Sequence, residues 1–190
     1  PVARIHDVVF AMSKFTRHND LGIFNGEVVR SSEMPFYVPR WMAITLPFIF
    51  MAAALWGQLM AFALVVRRSF RLSLWKDGSE LCDYTAAGLG LAPVIVSVFA
   101  HPWLYDGWRH FYFVMPFLSI SASAGIFSIA SLAGQRANAA AAVLGFLAAA
   151  ESLVGIFWFF PYPHCYFNAA AGSELITKYD FDYAGTAGHE

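Results

Sequence analysis

The chain has 190 residues, of which 58% are hydrophobic and only 13% charged, and its formal net charge is -1. Apolar content this high excludes a disordered chain, and a near-neutral balance excludes a nucleic-acid binder driven by bulk positive charge, because neutralising phosphates takes an excess of Lys and Arg. The expected class is an all-α, polytopic membrane protein, and 19 Phe, 8 Tyr and 6 Trp suit both apolar spans and the headgroup belt.

In the first 40 residues, Val2, Ile5, Val8, Val9, Met12 and Phe15 recur at helical spacing, with Arg4, Asp7, Lys14 and Arg17 between them. This pattern predicts an amphipathic helix lying in the membrane interface, or one packed on a soluble partner domain. SSEMPFYVPRW follows, where Pro35 and Pro39 predict a break in regular helix. A bilayer core of about 30 Å takes roughly 20 apolar helical residues, and four runs fit: about 41–66, 84–100, 111–133 and 137–160. The second carries Gly88, Gly90 and Pro93, which a helix bundle tolerates. Residues 161–190 form a polar and aromatic tail beyond this four-helix bundle. Opening at Pro1 without Met, directly into an amphipathic segment, the chain is expected to belong to something longer.

Lys and Arg are retained on the cytoplasmic side, so the loop with Arg67, Arg68, Arg71 and Lys76 is assigned inside, and Arg136 with it. The loop bearing Arg109 and both termini then fall outside, periplasmic or extracytoplasmic in a bacterium. Under this topology Cys82 and Cys165 are a bilayer apart, too far for a disulfide. No spacing suggests zinc, a phosphate loop or a nucleophile elbow.

Polar groups gather on the outer side. HPWLYDGWRHFYF places His101, Tyr105, Asp106, Arg109 and His110 within ten residues. Arg109 could present its planar fork to a phosphate or carboxylate with Asp106 holding it, or the two could pair for orientation alone. Glu151 lies mid-span, where a carboxylate costs about 2.5–3.5 kcal/mol, so it is expected to face protein or water. Protonation, or hydrogen bonds from Ser119, Ser121 or Ser123, would lower that cost. Those serines and Gly125 also form a small-residue face for close helix packing, and Gln58 invites the same packing explanation. The tail offers Tyr162, His164, Tyr166, Asn168, Tyr179, Asp180, Asp182 and Tyr183, groups that suit sugar binding or simple interfacial anchoring. Asp180 and Asp182, two apart in a loop, are a weak signal for a divalent ion, and no other cofactor is indicated.

Several segments, taken together, resemble one family. SSEMPFYVPRW, LYDGWRHFYFVMPF, PYPHCYFNAAAG and DFDYAGT resemble, in order and spacing, motifs of the integral-membrane glycosyltransferases of family 39 and their C-type fold relatives. The likeness covers most of residues 31–190 and corresponds to the carboxyl-terminal half of that family. Ala184 stands where the family carries Trp, and Ala171-Gly172 where it carries a Gly pair. The resemblance implies a polyprenyl-phosphate sugar as donor, with Arg109 and His110 contacting its phosphate, Tyr105 and Asp106 shaping that site, and Tyr166 and Asn168 on the substrate side of the tail. The family's catalytic acid lies in an amino-terminal external loop with no counterpart in these residues. The expected partners are membrane lipid, a lipid-linked sugar donor and other membrane subunits. A different class is a catalytically silent relative retained as a structural subunit of a membrane complex. A transporter module fits less well, since only Glu151 would mark a pathway and no inverted repeat is visible.

Overall fold

The apolar runs propagate as helix, one of them straight through Pro93, and the chain breaks at Leu46-Pro47 and at Gly134. In the computed structural model, which describes residues 21–69, 75–104, 107–160, 166–172 and 178–179, the chain is mostly helical. The amphipathic segment from Val2 to Phe15 lies outside the described residues. A hairpin precedes the helices: β1 (Leu21–Phe24) pairs antiparallel with β2 (Glu27–Arg30) across Asn25-Gly26, whose φ angles are 55° and 84°. Two successive positive φ values make the turn whose twist matches paired strands, and Asn-Gly is its favoured dipeptide. This hairpin is a small addition to a chain that is mostly helical, as expected.

Pro39 does not prevent helix, contrary to expectation. It sits in the first turn of α1 (Tyr37–Thr45), where an N–H would have had no helical partner anyway. The break comes at Leu46-Pro47, with Leu46 extended at φ -96° and ψ 143°, so the first apolar run divides into α1 and α2 (Phe48–Ser69). The second run starts earlier than its hydropathy suggests: α3 (Gly78–Ala100) is nucleated by Asp77, whose carboxylate accepts the Glu80 N–H at 3.0 Å and the Ser79 hydroxyl at 2.8 Å. Those same bonds hold the Asp77 carboxyl below its ordinary value of 3.8. A 3-10 turn (Arg109–Val114) runs into α4 (Met115–Ala130), and a second (Ser131–Arg136) leads to α5 (Ala137–Trp158).

Among the described residues three helical stretches, Phe48–Arg68, Gly78–Ala100 and Arg109–Trp158, are long and apolar enough to cross a membrane. The third, 50 residues long, is interrupted at Gly134, where φ 58° and ψ -119° are not helical and α5 turns back onto α4. With 16 residues rising about 1.5 Å each, α4 alone covers about 24 Å, and its 3-10 flanks extend it past the roughly 30 Å needed.

Helices α2 and α4 form the central pair. Thr45 and Trp108 are bonded just before the two helices and Trp56 and Ser128 within them, so both start at the same end and run parallel. They touch at Gly57 and Gly125, where a Cβ on either would collide with backbone of the other helix at Ser121 or Ala53. Of the expected small-residue face, Ser121 and Gly125 lie at the helix contact while Ser119 and Ser123 are exposed, and Ala53, Ala54 and Ala122 pack around it. α3 runs opposite to α2, joined at one end by Arg68 and Glu80 at 2.8 Å. α5 also runs opposite and packs on α4. Large apolar side chains point outward: Phe62, Phe99, Phe146, Phe157 and Trp158 are each 67–81% exposed, a surface that water would not stabilise.

Candidate functional site

The larger core lies at the end of the bundle where α1 crosses it, built from Val38, Trp41, Leu104, Trp108, Phe167 and Tyr179. Trp41 is the hub. Its ring lies 5.6 Å from Phe24, 5.7 Å from Tyr179 and 6.1 Å from Phe167, so one side chain ties the hairpin, α1 and the tail together. Gly107 passes beside that ring; a Cβ there would only touch it, at 3.4 Å, and it is the positive φ of 72° that favours glycine.

Two of the candidate segments are fastened to α1 by polar bonds. The Trp108 indole donates to the Thr45 hydroxyl at 2.7 Å, and that hydroxyl donates to the Trp41 carbonyl at 2.7 Å. Arg109, half-buried, and His110, exposed, follow immediately as the 3-10 turn opens. On the other side, the Asn168 side-chain amide donates to the carbonyls of Ala43 at 2.7 Å and Leu46 at 2.8 Å, while its oxygen accepts the Ala170 N–H at 2.9 Å. The last carbonyls of a helix lack helical partners, and Asn168 supplies them. Its carboxamide is therefore committed to the fold, 6% exposed, and its place is that of a fastener rather than a surface for substrate.

Tyr166 stands beside α5. Its ring lies against Gly155 and meets Phe159 edge to face at 5.8 Å. Burial pushes its phenol above the ordinary value, and the neighbouring Glu151 carboxylate pushes the same way. Tyr179 is raised by burial too. Tyr105, Asp106, Tyr162, His164, Cys165, Asp180, Asp182 and Tyr183 lie outside the described residues. Cys82 is exposed and free.

The partners of Glu151 correct the serine expectation. Its two oxygens accept the N–H groups of Phe48 at 2.7 Å and Ile49 at 2.8 Å, the first two residues of α2. A helix that starts after Pro47 presents orphan donors and a partial positive charge, and a carboxylate on a neighbouring helix satisfies both. The serines look elsewhere: Ser119 and Ser123 donate to carbonyls one turn back on their own helix, of Met115 and Ser119, each at 2.9 Å. The Ser121 hydroxyl and Gln58 Nε2 are buried with no hydrogen-bond partner among the described residues.

His101 and the two serines before α1 form a further joint that composition did not reveal. His101 ends α3 in the left-handed conformation at φ 47°, and its Nδ1 lies 3.0 Å from the Ser32 carbonyl. The buried Ser31 hydroxyl accepts the Leu104 N–H at 2.8 Å. The loop before Arg109 is thus tied to the segment before α1. The Asn25-Gly26 turn was the available signal that something ordered precedes it.

Arg109 and Asn168 lie at the α1 end, whereas Arg68 and Arg136 belong to the opposite end, where α2 stops and α4 gives way to α5. Comparison of the chain with protein-family models, with curated proteins and with solved structures finds no match in any of the three.

Proposed function

We propose that this chain is the membrane-spanning, donor-binding part of an integral-membrane glycosyltransferase that moves a sugar from a polyprenyl phosphate to an acceptor at the external face. The observation that carries the reading is convergence: Trp108, which directly precedes Arg109 and His110, and Asn168, which closes the Tyr166–Asn168 segment, are far apart in sequence and both bonded to α1 at one end of the bundle. The resemblance assigns those two segments to one substrate site, and a shared anchor is what such a site requires. In this reading α2, α3, α4 and α5 are the four spans, with Arg67, Arg68 and Arg136 on the cytoplasmic side.

The reaction is displacement at the anomeric carbon. The acceptor hydroxyl attacks, a carboxylate elsewhere in the enzyme takes its proton, and the polyprenyl phosphate leaves with the bonding electrons. Arg109 offers that phosphate a fixed positive charge, most effective where charge accumulates as the bond breaks. His110, exposed next to it, offers a second donor. Asn168, Trp108 and Thr45 act indirectly by holding the two segments on α1.

The test is transfer by the full-length protein in proteoliposomes supplied with polyprenyl-phosphate sugars. Arg109→Ala should lower turnover at least a hundredfold, the scale of losing one transition-state charge partner. Unaltered turnover contradicts the role given to Arg109. Absence of any transfer, with the protein isolated in a fixed-stoichiometry assembly, instead supports the structural-subunit reading.

A further inference from the structure

Halfway along α2, Gln58 stands about 15 Å of helix from either end. It is buried, 7% exposed, and its Nε2 has no hydrogen-bond partner among the described residues. The hydroxyl of Ser121 on α4, a residue 3% exposed, also lacks a partner among them. An open bond at that depth in an apolar bundle is costly, because neither bulk water nor headgroups reach it.

Both groups belong to one junction of three helices. The Gln58 amide is turned toward α3: a Cβ added at Gly90 would stand 3.3 Å from Nε2, with Leu118 of α4 at 3.4 Å and Phe117 at 3.5 Å. Ser121 follows these two residues by three and four positions, so it lies one turn along the same face of α4. Its carbonyl abuts Gly57, the residue before Gln58. Because positions 57 and 90 are glycine, neither fills the junction with a side chain.

Ser121 also departs from other serines of the bundle. Ser119, Ser123 and Ser152 each donate to a carbonyl one turn back in their own helix, which satisfies a hydroxyl without any outside group. Ser121 makes no such bond. Its hydroxyl is left for a partner beyond its own backbone.

Two buried polar groups that share a junction without bonding each other suit a bridge by one small molecule that can both accept and donate. Water has that chemistry and that size. An ion would meet no opposite charge at Gln58, Gly90, Leu118 or Ser121, and a lipid chain offers no polar atom. We propose that the junction of α2, α3 and α4 holds one buried water, which accepts from Gln58 Nε2 and bonds the Ser121 hydroxyl. This polar site in the apolar middle of the bundle stands whether or not the chain transfers sugar.

The experiment is a crystal structure of the full chain grown in a lipid mesophase, at a resolution that shows ordered water, together with SDS unfolding of variants. A single solvent peak within about 3.2 Å of both Gln58 Nε2 and Ser121 Oγ is expected. Gln58→Met and Ser121→Ala should each lower the folding equilibrium constant about three- to tenfold, and the double variant no further than the larger single loss, since each removes the same bridge. Ser119→Ala, at an exposed position bonded within its own helix, should leave it unchanged. A junction without that peak, a direct Gln58–Ser121 bond, single variants as stable as the parent, or losses that add in the double variant overturns the assignment. Where a variant fails to fold, the parental crystal structure alone decides.

Discussion

Replacing Glu151 by Leu removes the only two acceptors that the Phe48 and Ile49 N–H groups have at the start of α2, among the described residues. Hydrogen bonds to a charged group contribute about 1.5–3 kcal/mol each, so the pair contributes about 3–6 kcal/mol. Against this stands the cost of carrying a carboxylate into an apolar helix, about 2.5–3.5 kcal/mol, which Leu removes. The difference runs from about -0.5 to about 3.5 kcal/mol, a net loss of about 1.5 kcal/mol at the midpoints. Glu151→Gln keeps one good acceptor and relieves most of the desolvation, so it should fall between parent and Leu. Equilibrium unfolding by SDS titration in mixed micelles measures the change, and amide exchange over residues 48–52 locates it. If Glu151→Leu is as stable as the parent and exchange at Phe48 and Ile49 is unchanged, the capping account is refuted. If Glu151→Gln abolishes function without touching stability, the residue carries protons rather than caps a helix.

Two further outcomes follow from local geometry. Gly57→Ala and Gly125→Ala push a methyl into the backbone of the facing helix and should each cost about 1–3 kcal/mol or more in the same unfolding assay, whereas Gly88→Ala, with nothing within 4 Å, should be neutral or stabilising by up to about 1 kcal/mol. Asp77 has its folded pKa lowered by the Glu80 N–H and the Ser79 hydroxyl, so its contribution is full above the ordinary value of 3.8 and is lost as pH falls through the lower folded value. Amide exchange at residues 78–81 should therefore accelerate below about pH 4, relative to the rest of α3, and Asp77→Ala should remove that pH dependence.

The helices were legible because apolar runs of this length have few other solutions, and the small-residue face at Gly125 was legible because close packing needs missing side chains. Helix ends were less so. Hydropathy placed the second span at Tyr84, but Asp77 begins it, because a capping bond is worth making wherever the carboxylate sits relative to the apolar stretch. Likewise Leu46-Pro47 divides a run that reads as one span, since hydropathy does not register a backbone break. The hairpin at residues 21–30 carries a readable signal, Asn-Gly between β-branched and aromatic residues, to which hydropathy is blind. At the site, the grouping of Arg109 with the tail was expected from orientation alone. That α1 would anchor both was not, because Asn168 reads as a polar loop residue until its bonds to Ala43 and Leu46 are seen. Nor could spacing show that Glu151 faces a helix start 103 residues away rather than the serines of the adjacent span.

The most direct test of the account is sidedness. In a background with Cys82→Ser and Cys165→Ser, single cysteines placed as His110→Cys, Ala170→Cys, Lys76→Cys and Gln135→Cys are exposed to a membrane-impermeant maleimide on intact, right-side-out vesicles. The account predicts labelling at 110 and 170 from outside, and at 76 and 135 only after permeabilisation. Labelling of 110 and 170 from opposite sides would contradict it.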